Sequence, residues 1–315
     1  MNAVEEATRC PLCAHARSIR LATLDAAVLR EEYLRSFKIH IRMDVERIDY
    51  LHCTACDLRF FEPLAAGDAD FYRQLQAIPW YYREQKAEYD IAAHHIRPED
   101  QVLEVGAGKG AFSRHVRCAS YLGLETSPDA IEIAAREGVR LLQEDLQTHA
   151  SRHVGEYDVV CAFQVLEHVP QVCSFLESAR DCLRSGGRLL LAVPSEDSFA
   201  NIDFWDILNM PPHHVTRWSD LSLRNAARQL GLSVVTIEHE PLADSHVSWY
   251  ARIVAEYGMA LRSGPEPHLL DPRLRGWLVR RGAKIGAALL RPALRNPVLR
   301  PIGHAVVAVF ERAPA

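Results

Sequence analysis

Val102-Leu103-Glu104-Val105-Gly106-Ala107-Gly108-Lys109-Gly110-Ala111-Phe112 is the stretch whose reading decides the fold. An apolar run with an acid near its end gives way to glycines at alternate positions and then to a helical pattern. The spacing predicts a strand, a tight turn and a helix start. Glycine belongs where φ is positive or where a ligand must lie against bare backbone. A dinucleotide-binding loop reads G-x-G-x-x-G and aims helix amides at a pyrophosphate. Here Gly110 falls one residue early, and Glu104 stands two residues before Gly106. A carboxylate at that point repels phosphate and suits a cation.

Ser120 to Glu125 reads as a second strand that also ends in an acid, 19 residues after Gly106. A carboxylate there accepts both hydroxyls of a ribose. Ser127-Pro128-Asp129 supplies an N-cap, a proline at the first helical position and an acid in the first turn. S-adenosylmethionine (SAM), with an ammonium, a sulfonium and no phosphate, fits both signals. Strands are expected at 101–105, 120–125, 139–142, 157–162 and 187–193, alternating with helices as a parallel sheet with crossovers requires. Asp145 follows the third strand, where it can accept from an adenine amine or simply cap a helix, and Leu146 offers the ring an apolar wall. Phe163 and Gln164 end the fourth strand beside the switch point where open α/β sheets bind ligands. His168, in Glu167-His168 at the next helix start, is weighed both as a base and as a structural hydrogen-bonding group.

These blocks resemble the class I SAM-dependent methyltransferases: EVGAGKG (104–110), GLETS (123–127), EDL (144–146), YDVVCAFQVLEHV (157–169) and LRSGGRLLLAVP (183–194), in that order. The resemblance implies an α/β fold with a Rossmann-like, seven-stranded, mostly parallel sheet. Residues 232–239 form the sixth strand and 304–311 the seventh, which pairs antiparallel at the sheet edge. It also implies the donor contacts: Gly106, Gly108 and Gly110 under the methionine part, Glu104 on the loop or the amino group, Glu125 on the ribose, Asp145 and Leu146 at the adenine, and Phe163 and Gln164 beside them. Residues 64–98, helical and aromatic, cover the methionine end in the resembled fold. Trp80, Tyr81 or Tyr82 is expected against the sulfonium, where an aromatic face is favourable; a linker helix packed on the sheet is the plainer alternative.

Pro194 to Trp218 is the least regular segment, and long loops in compact domains are usually functional. Two prolines stiffen the approach to His213 and His214, and Ser219-Asp220 caps a helix that Gly231 ends. One histidine of the pair is the candidate base, since methyltransferases resembling this chain often carry a histidine there; the doublet itself does not choose. Displacement at a sulfonium is in line, has a neutral leaving group and needs no catalytic metal.

The composition is that of an ordinary globular chain: 315 residues, 48% hydrophobic, 24% charged, net charge -5. An acidic balance argues against a polyanion-binding protein. The start is unlike a secretory signal, and no 18-residue apolar run occurs, so a cytoplasmic protein is expected. Of eight cysteines, four fall as Cys10-x-x-Cys13 and Cys53-x-x-Cys56, the spacing of a structural Zn²⁺ site with no open position. The 39 residues between the pairs need structure of their own: a helix over Asp25–Lys38, and a strand where Ile39, Ile41, Met43 and Val45 alternate. Basic residues are not in excess beside the knuckles, which weighs against a nucleic-acid-binding or nucleic-acid-methylating protein.

The segment Tyr50 to Pro63 resembles the zinc-binding leader of a methyltransferase subgroup that includes C-methyltransferases of nucleotide-linked deoxysugars; the glycine common after its last cysteine is Asp57 here. The expected acceptor is therefore a small molecule, a sugar of a nucleotide- or lipid-linked intermediate. A quinone, phenolic or lipid O-methylation is the alternative, because QVLEHV also resembles quinone O-methyltransferases. The expected units are a zinc-ribbon-like part (1–62), a helical linker (63–98), the SAM-binding domain (99–243 with 302–315) and a basic helical insertion (244–301). From Arg273 to Arg300 there are eight Lys or Arg and no acid, amid leucines and Trp277. That pattern suits either a peripheral contact with anionic lipid or a solvated helix packed on one face.

Overall fold

The computed structural model describes residues 8–78, 81, 84–262, 269–270 and 274–314. In chain order its elements are β1 (Ser18–Asp25), α1 (Ala26–Phe37), β2 (Arg47–Cys53), β3 (Arg59–Glu62), α2 (Ala69–Gln76), α3 (Ala87–Ala93), β4 (Gln101–Val105), β5 (Ser120–Glu125), α4 (Pro128–Arg136), β6 (Leu141–Gln143) and α5 (Leu146–Ala150). Then come β7 (Tyr157–Phe163), α6 (Val172–Cys182), β8 (Leu183–Pro194), β9 (Thr216–Arg217), α7 (Asp220–Gln229), β10 (Leu232–Pro241), α8 (Val247–Arg262), α9 (Leu274–Leu290) and β11 (Ile302–Arg312).

The large sheet has seven strands in the order β10-β11-β8-β7-β4-β5-β6. Strands β8 to β6 run parallel, and β11 lies antiparallel between β10 and β8, giving the Rossmann-like sheet expected from the sequence. Its central strands are apolar on both faces because helices cover both: Leu103, Val160, Leu189, Leu190 and Leu191 are fully buried. Removing each such side chain from water contributes about 1.5–3 kcal/mol.

Two local expectations differ from the structure. The glycine loop leads into a single 3₁₀ turn, Ala111–Arg114, rather than a long helix. Ile39, Ile41, Met43 and Val45 lie in irregular chain without a ladder partner, although Ile39 and Ile41 are buried. Alternating burial there comes from packing under α1 and the neighbouring loop, so the pattern mimics a strand. The strands of this region are β1 and β2, paired antiparallel from Ser18↔Cys53 to Asp25↔Arg47. The helix over 25–38 is present, capped by Asp25, whose carboxylate accepts from the Ala27 amide at 2.7 Å.

A second sheet has the order β1-β2-β3-β9. Its last strand comes from the loop after β8: Arg59 pairs with Arg217 and Phe60 with Thr216. The N-terminal segment therefore closes its sheet with two residues that immediately follow the histidine loop. Cys10, Cys53, Cys56 and Phe60 share one buried cluster with Leu103, Val160 and Trp218.

Between β10 and β11 the chain makes a helical hairpin, in which a Cβ on Gly286 of α9 would stand 3.0 Å from Ala255 of α8. Among the described residues no helix is long and apolar enough to cross a membrane.

Candidate functional site

At the carboxyl ends of β4, β5 and β7 lies a cavity of about 870 Å³. Its floor is the glycine loop, whose Gly106, Gly108 and Gly110 have φ of +69°, +54° and +74°. A Cβ on Gly106 would meet the Val165 side chain at 2.5 Å, so backbone conformation and packing both require glycine. Gly106 and Gly108 line the cavity; Gly110 does not, because it packs on Val139, which a Cβ would approach to 2.6 Å. Its expected contact with a ligand is replaced by a packing role.

Glu125 sits at the end of β5 and faces this loop. Its Oε2 accepts from the Gly108 amide at 2.7 Å, and its Oε1 accepts from the Thr126 and Ser127 amides at 2.7 and 2.8 Å. Three backbone donors hold one carboxylate at the mouth of α4, with both oxygens fixed on the cavity wall. Glu104 is placed differently from expectation. It is 2% exposed, is not on the cavity wall, and accepts from the Tyr121 hydroxyl of the neighbouring strand β5. Burial pushes its carboxyl up to about 8, with Tyr121 and Lys86 pulling the other way. Strand alternation explains the difference: Glu104 shares the face of Val102, whereas the loop opens beyond Val105.

Asp145, Leu146, Phe163 and Gln164 all line the cavity. Asp145 caps α5, accepting from the Thr148 amide at 2.7 Å and the Thr148 hydroxyl at 2.8 Å, and these bonds lower its pKa. Gln164 has φ +56°, uncommon for a side chain outside glycine. Its amide bonds Ala192 O at 2.8 Å and its Nε2 donates to Glu88 Oε2 at 2.8 Å. Glu88 also pairs with Lys86 at 3.3 Å, and Lys86 is itself on the wall. The sequence reading missed Lys86 and Glu88; a lysine and an acid before a short helix carry no motif.

At the other end three histidines meet. His168 lines the cavity, while His213 and His214, of which at least one is expected to face the transferred methyl, lie behind it, 6% and 8% exposed. Their rings stack at 4.5 Å, and His168 is 4.4 Å from His213. His168 Nδ1 donates to His213 O at 2.5 Å, His213 Nδ1 to Leu208 O at 2.8 Å, and His214 Nδ1 to Asn209 Oδ1 at 3.0 Å. Those bonds leave each Nε2 as an acceptor. Tyr81, a wall residue, fills one of them, with its hydroxyl 3.0 Å from His213 Nε2. Burial, above all, holds all three rings neutral: His168 falls to about 4, and His213 and His214 lie well below the usual imidazole range. Trp80 and Tyr82 lie outside the described residues.

The loop carrying the histidines is held by the N-terminal segment. Phe61 N bonds Val215 O at 3.0 Å, Tyr33 Oη donates to Ile207 O at 2.8 Å, and Val215 N reaches Glu167 O at 2.8 Å. Arg217, 3% exposed, donates from Nε to Asn209 O at 2.9 Å and lies over the Tyr50 ring at 4.9 Å. Glu196 accepts from Tyr50 Oη at 2.7 Å and Arg59 Nη1 at 2.6 Å. None of this clamp was legible in the sequence.

Residues 80–237, half of the chain, match a family model described as a methyltransferase domain. The chain belongs to this methyltransferase family. Its matched region is a methyltransferase domain. Curated relatives include the ubiquinone biosynthesis O-methyltransferase of Cronobacter sakazakii, 26% identical over 157 residues (47% of this chain, 63% of that protein). The ubiquinone biosynthesis O-methyltransferase of Shewanella pealeana is 28% identical over 111 residues (33% and 47%). The methyltransferase thus spans less than two thirds of these relatives' length. Among solved structures, a SAM-dependent methyltransferase of Archaeoglobus fulgidus is 12% identical, covers 78% of this chain and 100% of that one, and has a TM-score of 0.49.

In this methyltransferase the four N-terminal cysteines converge, with all four sulfurs within 4.8 Å of one another. Cys10–Cys56 and Cys13–Cys53 Sγ pairs stand 3.5 Å apart, and none is in a disulfide. Each knuckle turns through a left-handed residue, Ala14 (φ +56°) and Asp57 (φ +69°), whose amide bonds the first cysteine's carbonyl at 2.9 Å. Asp57 offsets its strain with its carboxylate, which pairs with His52 Nε2 at 2.7 Å and accepts from Ser219, the cap of α7.

Proposed function

We propose that this methyltransferase transfers the methyl of SAM to a hydroxyl oxygen on an aromatic, phenolic acceptor. The observation that carries the reading is the Tyr81–His213 pair, a donor on the cavity wall bonded to a buried neutral imidazole at 3.0 Å. Tyr72, also on the wall, supports it with a ring edge-on to His168 at 5.8 Å and a buried hydroxyl that has no partner among the described residues. Flat aromatic walls suit a ring, and the open Tyr72 hydroxyl suits an oxygen substituent. The acceptor oxygen attacks the methyl carbon, the carbon–sulfur bond breaks, and its electron pair leaves on a neutral thioether. The hydroxyl proton passes through Tyr81 to His213 Nε2. His213 thus acts at one remove, and His214 is not the base. The relatives named as ubiquinone biosynthesis O-methyltransferases fit this acceptor class. A sugar acceptor is the second reading, favoured by the cysteine leader's resemblance.

For the donor we assign the ribose to Glu125, the adenine to Asp145 and Leu146 with Phe163 and Gln164 beside them, and the methionine part to Gly106 and Gly108. We assign one structural Zn²⁺ to Cys10, Cys13, Cys53 and Cys56. Thiolates around such an ion stand about 3.8 Å apart for bonds of about 2.3 Å, close to the sulfur spacing here. The working units are 1–62, 63–98, 99–243 with 302–315, and 244–301. The last unit suits a peripheral contact with anionic lipid: Ile285, Leu289 and Val298 are 70%, 77% and 87% exposed in a stretch without acids.

The test is turnover, read as release of S-adenosylhomocysteine, with phenolic quinone precursors against nucleotide-linked deoxysugars. Turnover of the phenol, lowered at least about tenfold by Tyr81→Phe, supports the reading; turnover of the sugar alone overturns it. Co-sedimentation with vesicles rich in phosphatidylglycerol, lost in a Leu289→Glu variant, tests the lipid contact.

A further inference from the structure

We propose that Glu240, His246 and His304 form a site for Zn²⁺, or a similar first-row divalent ion, at the root of the helical insertion. The three residues come from three elements: Glu240 from the end of β10, His246 from the 3₁₀ turn that leads into α8, and His304 from the start of β11. One donor atom of each lies within 4.8 Å of the others.

The backbone is shaped to aim the carboxylate. The β10–β11 register shifts between His239 and Pro241, and an irregularity of that kind redirects a side chain. Glu240 then lies over Gly303, where a Cβ would stand 2.7 Å from its Oε1. The His304 and Ala305 amides donate to that oxygen at 3.1 and 3.2 Å, which fixes the group without neutralising it. Glu240 is 6% exposed, and among the described residues no lysine or arginine pairs with it. A carboxylate so placed is costly unless a proton or a cation joins it.

What faces it is imidazole nitrogen. His304 Nδ1 stands 2.6 Å from Glu240 Oε1, yet the ring is not aligned to donate, and this nitrogen has no hydrogen-bond partner among the described residues. A hydrogen-bond partner sits near the axis of the ring nitrogen. A second ligand of a shared ion sits beside that axis, because the ion occupies it. His246 stands edge-on to His304 at 4.7 Å between ring centres, with its Nδ1 buried. Trp249 packs edge-on against both rings at 5.5 Å and walls the cluster on its apolar side. Two imidazoles and one carboxylate suit zinc or cobalt(II). Donors about 2.1 Å from one ion stand about 3.0–3.4 Å apart, so the Glu240–His304 pair opens by about half an ångström and His246 closes on it.

None of the three residues lines the large cavity, and the ion's role is structural. It ties the two ends of the insertion across an interval of 64 positions, from Glu240 to His304. His304 O also accepts from the Ser195 amide at 2.7 Å, so the same ion steadies the first residue of the histidine loop.

The test titrates Co²⁺ into the full chain, with zinc supplied first to the cysteines; any thiolate charge transfer marks those cysteines and is not counted. Expected is one equivalent of Co²⁺ with visible d–d absorption and a raised melting temperature. Loss of a ligand in Glu240→Gln or His246→Ala should weaken uptake by more than the about 10–100-fold that an outer-sphere partner costs. Binding of S-adenosylhomocysteine remains in both variants and confirms that they fold. Failure of the wild type to take up Co²⁺ in this form, or undiminished uptake in both variants, overturns the site. Uptake that leaves the melting temperature unchanged overturns its role as a tie.

Discussion

The two ends of the cavity are built on different principles. The donor end comes from one continuous run, 104–127: a strand end, a glycine bend, a second strand end and a helix cap, with Glu125 bonding Gly108 across it. The acceptor end is assembled from pieces far apart in the chain. Tyr72 and Tyr81 come from the linker and His168 from the turn after β7. His213 and His214 come from a loop held by β3 and by the Tyr50, Arg59, Glu196 and Arg217 clamp. Damage to the N-terminal sheet should therefore silence the acceptor end and spare the donor end.

The largest expected effect is at the cysteines. Cys53→Ser, or exhaustive chelation of the proposed Zn²⁺, should unfold the 10–62 region. Zinc-dependent folding is worth about 10 kcal/mol or more in small domains, and Cys53 is fully buried. Soluble protein, melting temperature and turnover should all fall; an unchanged melting curve would show that the leader needs no ion.

Arg217→Met separates the two ends more cleanly. It leaves Asn209 O without its donor and removes the Arg217–Glu196 ion pair (3.7 Å), so that Glu196 keeps Arg59 and the Tyr50 hydroxyl, at a cost of about 3 kcal/mol. Turnover should drop by about two orders of magnitude while S-adenosylhomocysteine affinity, measured by calorimetry, changes less than about threefold. Equal loss of both would mean that the clamp supports the whole cavity.

Glu125→Ala is the reciprocal experiment. Calorimetry should show S-adenosylhomocysteine binding weakened by about 2–3 kcal/mol, with a modest fall in melting temperature. Full affinity would remove the ribose assignment. The smallest effect belongs to Asp145→Ala: loss of the α5 cap costs about 1 kcal/mol in stability. A drop in donor affinity beyond that amount would mean that the carboxylate also reads the adenine.

Legibility followed the same division. The glycine loop, the strands around it and the Ser127 and Ser219 caps were readable because each rests on a few consecutive residues and a fixed period. Glu104 misled because the motif spacing names the residue, whereas the face on which it sits depends on the pleat and on Tyr121. The His213-His214 pair was found by composition and loop length. Which of them meets Tyr81 and which meets Glu167 followed only from the packing of β9 onto β3.

The sequence alone determined the class of fold and the glycine loop with its facing acid, since alternation of strands, positive-φ glycines and a strand-end acid are local properties of the chain. Tertiary structure decided how the acceptor side is made. The hydrogen bonds and buried charges of that side join residues separated by as many as 177 positions, and contacts of that range have no period or spacing to leave in the sequence.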